Sequence, residues 1–219
     1  MRFTKDEIRK AMLLYAVTDS SWLKPGETLS AVVEDVLENG ATFLQIREKE
    51  MEHGAFLEEA RALQAAARWH HVPFVVNDAI EIALELDADG VHVGQSDILG
   101  KDVRAMIGPE RILGISAGTV EEAIAAERSG ADYIGVGAVF ATTTKQVDGT
   151  LSPEQLKAIC DAVSIPVVAI GGISAENIRQ LSGTGVDGVA VISAIFARPE
   201  PGKAAAELLE LSREMVSHG

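Results

Sequence analysis

Eight short, continuously apolar segments recur along the chain, each bounded by glycine, aspartate, proline or another polar residue. They are LLYAV (13–17), FLQI (43–46), PFVV (73–76), GVHV (90–93), ILGI (112–115), YIGVGAVF (133–140), PVVAI (166–170) and GVAVI (188–192). Runs of this length, rich in valine and isoleucine, are typical of strands that are buried on both faces of a parallel sheet. The pattern therefore predicts eight parallel strands.

Between these runs the apolar residues change to helical spacing. The clearest stripes are Leu29, Val32, Val33, Val36 and Leu37, and Leu156, Ile159, Cys160 and Val163. Each stripe follows the i, i+3, i+4, i+7 pattern of a helix with one buried face. Thr119 with Glu122 predicts a capping box, and Ser152 followed by Pro153 predicts a second helix start. The residues before the first run are interpreted as a leader turn.

The alternation of strand and helix predicts an α/β fold, a (β/α)8 TIM barrel that forms a single domain over residues 1–219. Similar helix-to-strand turns recur at ENGATF (38–43), LDADGV (86–91), SGADYI (129–134) and TGVDGV (184–189). Eight units of roughly 27 residues account for the chain, close to the ~250 residues typical of such barrels. An open doubly wound sheet is the main alternative, but it usually has a glycine-rich fingerprint after its first strand. Here that position reads TDSSWL (18–23).

Charge and composition narrow the classes of function. The chain has 33 acidic and 19 basic residues, a formal net charge of −14, which disfavours binding to nucleic acid or to an anionic membrane surface. A single cysteine excludes an intramolecular disulfide. No apolar stretch reaches the roughly 18 residues of a membrane span, and the amino terminus lacks the pattern of a signal peptide. We therefore expect a cytoplasmic protein with small-molecule partners; the sequence allows a homo-oligomer without indicating one.

Polar residues that directly follow the strands of a barrel gather on one face, where active sites are built. After the second strand, Gln45, Arg47 and Lys49 occupy every second position, and this alternation sends all three side chains to one side. Two cations and an amide at the barrel mouth could bind an anion. The alternative is a solvated strand end in which Arg47 pairs with Glu48 or Glu50.

Carboxylates follow the next two strands. Asn77 and Asp78 come after the third strand, and Asp97 comes shortly after the fourth. Neighbouring strands lie ~4.8 Å apart, so the two carboxylates could share one hard cation such as Mg²⁺. The alternative is that Asp78 and Asp97 cap helices that begin at Ala79 and Ile98.

Three later loops have features of phosphate binding. Thr142–Lys145 lies in a long polar loop after the sixth strand, and long loops in compact domains are often functional. Gly171–Ile173 follows the seventh strand and Ile192–Ala194 follows the eighth, the pair of loops that barrels most often use for a phosphate. The alternative for Thr142–Lys145 is a flexible surface loop, and the alternative for the two glycines of Gly171–Ile173 is a simple tight turn. His92 and Cys160 are interpreted as core residues.

These motifs together resemble the thiamine phosphate synthase family, also called thiamine-phosphate pyrophosphorylase. The matching segments are Gln45–Lys49, Val76–Asp78, Gly94–Asp97, Gly114–Ala117, Thr142–Lys145, Gly171–Ile173 and Ile192–Ala194. They occur in the family's order and cover nearly the whole chain. The resemblance implies that 4-amino-5-hydroxymethyl-2-methylpyrimidine diphosphate is joined to 4-methyl-5-(2-phosphoethyl)thiazole, giving thiamine phosphate and pyrophosphate by a dissociative, Mg²⁺-assisted mechanism.

The resemblance also implies roles for individual residues. The pyrimidine diphosphate would be bound by Gln45, Arg47, Lys49, Asn77, Ser116 and Lys145, the magnesium ion by Asp78 and Asp97, and the thiazole phosphate by Thr142, Thr144, Gly172, Ile192 and Ser193. Arg47, Lys49 and Lys145 would act catalytically by stabilising the departing pyrophosphate. The chain departs from the family at Gly118, where histidine is common, and at Ala141, where proline is common.

Two other functions fit parts of the same pattern. A thiazole tautomerase of similar fold would not need the metal-binding pair, and both Asp78 and Asp97 are present. A catalytically silent regulatory barrel that binds phosphate is the second alternative, because fold alone does not establish activity. Such a protein would be expected to have lost at least one of the charged residues.

Overall fold

The structure, a computed structural model, describes residues 3–48, 51–97, 99–142 and 149–217. Eight parallel strands form a closed barrel in chain order, with β1 hydrogen-bonded to both β2 and β8. The strands are β1 (Leu14–Val17), β2 (Phe43–Ile46), β3 (Phe74–Asn77), β4 (Gly90–Val93), β5 (Ile112–Ala117), β6 (Tyr133–Val136), β7 (Val167–Ile170) and β8 (Gly188–Val191). The predicted TIM barrel is confirmed.

Helices surround the barrel in the described part of the chain. They are α1 (Lys5–Ala11), α2 (Leu29–Glu38), α3 (His53–Trp69), α4 (Ile80–Glu85), α5 (Val103–Ile107), α6 (Val120–Arg128), α7 (Pro153–Ala162), α8 (Ser193–Phe196) and α9 (Pro201–Ser217). After β7 the chain forms a 3-10 turn, Ile178–Leu181, in place of the expected α-helix. Gly183 and Gly185 follow it with φ of +77° and +88°, a backbone conformation that ends a helix. None of these helices is long and apolar enough to cross a bilayer.

The amino-terminal segment contains a helix, so the interpretation as a leader turn is wrong. Thr4 and Glu7 form a reciprocal capping box at the start of α1. Ile8 and Met12 are fully buried in the barrel interior with Tyr15. The helix was hard to detect because it presents few apolar residues among many charges, and its burial depends on the rest of the barrel.

The two helix starts predicted from caps differ in their outcome. Ser152 and Gln155 form the expected capping box, with Pro153 at the first position of α7. The Thr119 hydroxyl accepts from the Glu122 N–H as expected. However, the Glu122 carboxylate accepts from the N–H of Gly118, one residue before the cap, at 2.6 Å. Half of this second capping box is therefore confirmed.

Two buried clusters hold the barrel together. One lies between the strands and the outer helices, and the other fills the barrel interior. In the interior, the rings of Tyr15, Phe43 and Tyr133 contact one another with centroid separations of 4.4 to 5.9 Å. Burying side chains of this size contributes on the order of 2 kcal/mol each before the entropic cost of ordering them. These three buried rings therefore fill the barrel interior.

Candidate active site

A cavity of about 490 Å³ opens at the carboxyl ends of the strands. Every predicted site residue that the structure describes lines it: Gln45, Arg47, Asn77, Asp78, Asp97, Ser116, Thr142, Gly172, Ile192 and Ser193. Lys49, Thr144 and Lys145 lie outside the described residues. The structure therefore brings together residues that are up to 148 positions apart in the chain, from Gln45 to Ser193.

Arg47 reaches the cavity from the end of β2. Its backbone N–H donates to the hydroxyl of Thr18 at 3.0 Å, which fixes the extension of β2 to the end of β1. The neighbouring Glu48 accepts a hydrogen bond from the Ser20 hydroxyl at 2.6 Å, and burial raises the pKa of its carboxyl group. No ion pair of Arg47 is found among the described residues. The alternative pairing with Glu48 is thus wrong, and Glu50 lies outside the described chain.

Asp78 follows β3 in a backbone conformation with φ of +57°. Its N–H donates to the carbonyl of His92 in the neighbouring strand β4 at 2.9 Å. The helix that follows, α4, begins at Ile80, and its N-cap residue is Ala79 with no side-chain cap. A left-handed conformation is uncommon for a residue other than glycine, although aspartate tolerates it better than most. Asp78 therefore lines the cavity and is not the N-cap of α4.

Asp97 lies in the turn after β4. Its carboxylate accepts from the backbone N–H of Gly94 at 3.0 Å, which holds the turn. The next helix is α5, whose N-cap is Asp102, with the Asp102 carboxylate accepting from Ala105 at 2.9 Å. Ile98, where the capping alternative places the start of a helix, lies outside the described residues.

The chemistry of this side of the cavity fits a hard divalent cation. Two carboxylates line one cavity from the ends of adjacent strands. Within the described ranges no group of three or more His, Cys, Asp or Glu side chains could hold a metal ion by itself. A magnesium ion does not need such a group, since it is commonly held by one or two carboxylates with waters and substrate phosphates.

The loops after β7 and β8 meet on the opposite side of the cavity. Gly172 has φ of +68°, and a Cβ there would overlap the carbonyl oxygen of Ala141. The Asn177 amide donates to the Gly172 carbonyl at 2.8 Å and holds the turn. The first N–H groups of α8 have no side-chain cap, and Ser193 at its start also lines an adjoining cavity of about 460 Å³. Backbone donors at such a position suit a phosphate.

Sequence reasoning missed part of the cavity wall. Tyr15, His92, Gln95 and Glu122 line it. His92 is only half-buried, although both of its ring nitrogens are hydrogen-bonded as expected of a core histidine. The available signal was the alternation along β1 and β4, which sends every second residue into the barrel.

A closed barrel of eight β/α units with its polar residues converging on one cavity at the carboxyl ends of the strands is the architecture of an enzyme that acts on a small molecule. The chain belongs to the thiamine monophosphate synthase family, whose model matches residues 14–195.

Individual relatives support this assignment over most of their length. The chain is 48% identical over 198 residues to the thiamine-phosphate synthase of Ruminiclostridium cellulolyticum, covering 90% of this chain and 94% of the relative. It is 44% identical over 195 residues to the synthase of Clostridium tetani, covering 89% and 93% of the two chains. Among solved structures, the thiamine phosphate pyrophosphorylase from Pyrococcus furiosus superposes with a TM-score of 0.85 at 38% identity, covering 95% and 99%.

Proposed function

We propose that the chain joins 4-amino-5-hydroxymethyl-2-methylpyrimidine diphosphate to 4-methyl-5-(2-phosphoethyl)thiazole, releasing thiamine phosphate and pyrophosphate. The observation that carries the proposal is that the ten described site residues line one cavity. The synthase names of the relatives support this reaction over thiazole tautomerisation.

The two sides of the cavity suit the two substrates. Gln45, Asn77 and Ser116 come from β2, β3 and β5, and Arg47 directly follows β2. We assign these four residues to the pyrimidine diphosphate together with Lys49 and Lys145. Thr142, Gly172, Ile192 and Ser193 come from the loops after β6, β7 and β8, and we assign them to the thiazole phosphate together with Thr144. A net charge of −14 repels both anionic substrates at long range, so local cations and backbone donors must supply the attraction.

Asp78 and Asp97 would hold a magnesium ion on the diphosphate side of the cavity. When bound, this ion neutralises charge on the phosphate oxygens of the substrate and of the departing pyrophosphate. The carboxylates suit the role because neither is the N-cap of a helix that the structure describes and both belong to turns that hydrogen bonds fix in place.

In the proposed reaction the bond between the pyrimidine methylene carbon and the pyrophosphate oxygen breaks first. The electron pair leaves with pyrophosphate, and the thiazole nitrogen then attacks the pyrimidine cation with its lone pair. Arg47, Lys49 and Lys145 are the catalytic residues, since negative charge grows on the leaving group and cations near it stabilise the transition state more than the substrate. No enzyme nucleophile is required. Accordingly, Cys160 lies on α7 outside the lining of the cavity, and burial raises its pKa to about 12.

The direct test is to incubate the purified protein with both phosphorylated substrates and Mg²⁺ and to measure thiamine phosphate and pyrophosphate. Equal amounts of the two products, dependent on both substrates, are expected. A matched reaction with Arg47→Ala should form far less of either product. Aromatisation of a tautomeric thiazole phosphate without coupling to the pyrimidine would instead support the tautomerase alternative.

A further inference from the structure

A chain of hydrogen bonds, buried at the two tyrosines and half-buried at His92, crosses the barrel along the base of the cavity and joins two of its walls. The amide nitrogen of Gln45 bonds to the Tyr15 hydroxyl. The Tyr15 and Tyr133 hydroxyls are 2.8 Å apart, and the Tyr133 hydroxyl lies 3.0 Å from Nδ1 of His92. Nε2 of His92 lies 3.0 Å from the Ser116 hydroxyl. Gln45 and Ser116, the two ends of this relay, both line the cavity.

Both phenols in the relay keep their protons. Tyr15 is 1% exposed and Tyr133 is fully buried, and this burial raises the pKa of each well above the ordinary value of 10. Because each phenol is neutral, each has one hydrogen to donate and can accept from one neighbour.

The direction of every bond in the relay follows from the first one. Gln45 donates its amide hydrogen to Tyr15, so Tyr15 donates to Tyr133, and Tyr133 donates to Nδ1 of His92. Since Nδ1 accepts, the neutral imidazole carries its hydrogen on Nε2 and donates it to the Ser116 oxygen. The Ser116 hydroxyl then accepts within the relay, and its own hydrogen is left for the cavity.

The barrel provides the space for this arrangement by placing glycine at two neighbouring positions. Gly114 of β5 stands in register with both His92 and Tyr133. A Cβ on Gly114 would overlap the Tyr133 phenol and lie 2.6 Å from Nδ1 of His92. A Cβ on Gly135 would lie 3.1 Å from Cε1 of the same imidazole. Any larger residue at Gly114 would displace the groups that form the central bond.

We propose that Tyr15, Tyr133 and His92 are positioning residues that hold His92 in the Nε2–H tautomer and so fix what the cavity offers a ligand. Ser116 presents a hydrogen-bond donor, and Gln45 presents its amide oxygen as an acceptor. A substrate edge with one acceptor and one donor at matching positions is recognised, and an edge of opposite polarity is rejected because it leaves buried groups unpaired. Only the identity of that substrate, a pyrimidine, rests on the proposed function.

The tautomer can be measured without substrate by NMR of the imidazole nitrogens in ¹⁵N-labelled protein. At about pH 8 we expect His92 to show a protonated Nε2 and an unprotonated Nδ1. Tyr133→Phe removes the donor to Nδ1, so a population with protonated Nδ1 should appear. The same variant should raise KM for the pyrimidine diphosphate roughly three- to tenfold, with a smaller change in kcat.

Phe43→Leu is the matched control, because Phe43 packs against both tyrosine rings but has no hydrogen-bonding group. It should leave the tautomer unchanged. A protonated Nδ1 in the unmodified protein would overturn the inference, as would a Tyr133→Phe variant with an unchanged tautomer. The spectrum of the unmodified protein decides the question even if Tyr133→Phe does not fold. Absence of thiamine phosphate would refute the proposed function but would not alter the tautomer result.

Discussion

Asp78 and Asp97 show how a position at a strand end becomes a chemical site. In the sequence each is an ordinary acidic residue, and aspartates that cap helices are more common than aspartates that bind a metal. The structure gives the N-cap positions of α4 and α5 to Ala79 and Asp102. Asp78 and Asp97 instead line the cavity. They follow β3 and β4, which are adjacent strands, and so lie on the same side of it.

We expect Asp78→Asn to lower kcat/KM by about 100-fold or more, because it removes a charge that would help neutralise the diphosphate while keeping the size of the side chain. Pyrophosphate release measured over a range of Mg²⁺ concentrations tests this. Asp102→Ala is the control: it removes the cap of α5 and should cost about 1 kcal/mol of stability with little loss of activity. Near-normal turnover by the Asp78→Asn, Asp97→Asn double variant at low Mg²⁺ would rule out the metal assignment.

Glu48 allows a prediction about pH and stability. Burial raises its pKa above the ordinary value of 4.5, so the folded protein binds this proton more tightly than the unfolded chain does. The stability that this tighter proton binding provides is therefore fully present below the ordinary pKa of 4.5 and is lost as the pH rises through the raised pKa of Glu48. Glu48→Gln should have about the same free energy of unfolding as the unmodified protein at about pH 4, and a larger one at about pH 8.

Urea unfolding of Glu48→Gln at both pH values measures the difference. Glu58→Gln, an exposed glutamate on α3, provides the comparison and should show little change at either pH. Equal stability of Glu48→Gln and the unmodified protein at the higher pH would contradict the argument.

Strands β2 and β4 have the bounds that hydrophobic pattern alone predicts, because a buried parallel strand requires a continuous apolar run. The sixth run differs most from its strand, since the run extends to Phe140 but β6 ends at Val136. Beyond that point the chain stays beside β7: the Val139 N–H donates to the Ile170 carbonyl at 3.1 Å, although β6 has ended. Apolar residues that leave a strand to line a cavity look the same in sequence as those that continue it.

The candidate site was predictable where a charged or amide side chain interrupts the apolar pattern, and it was hidden where a residue finds its partners on other strands. Gln45, Arg47 and Asp78 stand out because charge or amide groups interrupt an apolar pattern. Tyr133 and His92 do not, because their partners come from other strands. Whether Tyr133 meets His92 depends on the register of three strands and on the absence of a side chain at Gly114, which no local pattern records.

The turn after β7 should tolerate no side chain at its second glycine. In Gly172→Ala the new Cβ would overlap the carbonyl of Ala141, so the turn must move and with it the donors that we assign to the thiazole phosphate. We expect KM for the thiazole phosphate to rise about tenfold or more, with KM for the pyrimidine diphosphate nearly unchanged. Steady-state kinetics with each substrate varied in turn separates the two constants.

Gly183→Ala separates this steric effect from backbone strain. Gly183 also has positive φ, +77°, but a Cβ added there would meet no other atom within 4 Å. It should lose about 1 kcal/mol of stability and keep both KM values. An equal rise of both KM values in Gly172→Ala would show that the turn does not act on one substrate alone.

The closed barrel ties the beginning of the chain to its end. β1 pairs with β8, and α9 covers the seam from outside. The Ser212 hydroxyl donates to the Leu13 carbonyl at 2.6 Å, and the Gly202 N–H donates to the Asp35 carboxylate at 2.8 Å. Contacts between such distant parts of the sequence form only when the ring closes, so loss of the last helix should affect the whole ring.

Leu208→Ala tests that coupling, because Leu208 is 2% exposed on the inner face of α9. The cavity left behind should cost about 2 to 5 kcal/mol of unfolding free energy. If closure is cooperative, urea transitions followed by helical circular dichroism and by loss of substrate binding shift together. Leu84→Ala, at a leucine that is 38% exposed on α4, should change stability by less than about 0.5 kcal/mol. Separate transitions in Leu208→Ala, with helical signal lost before substrate binding, would mean that α9 detaches while the barrel and its site remain closed.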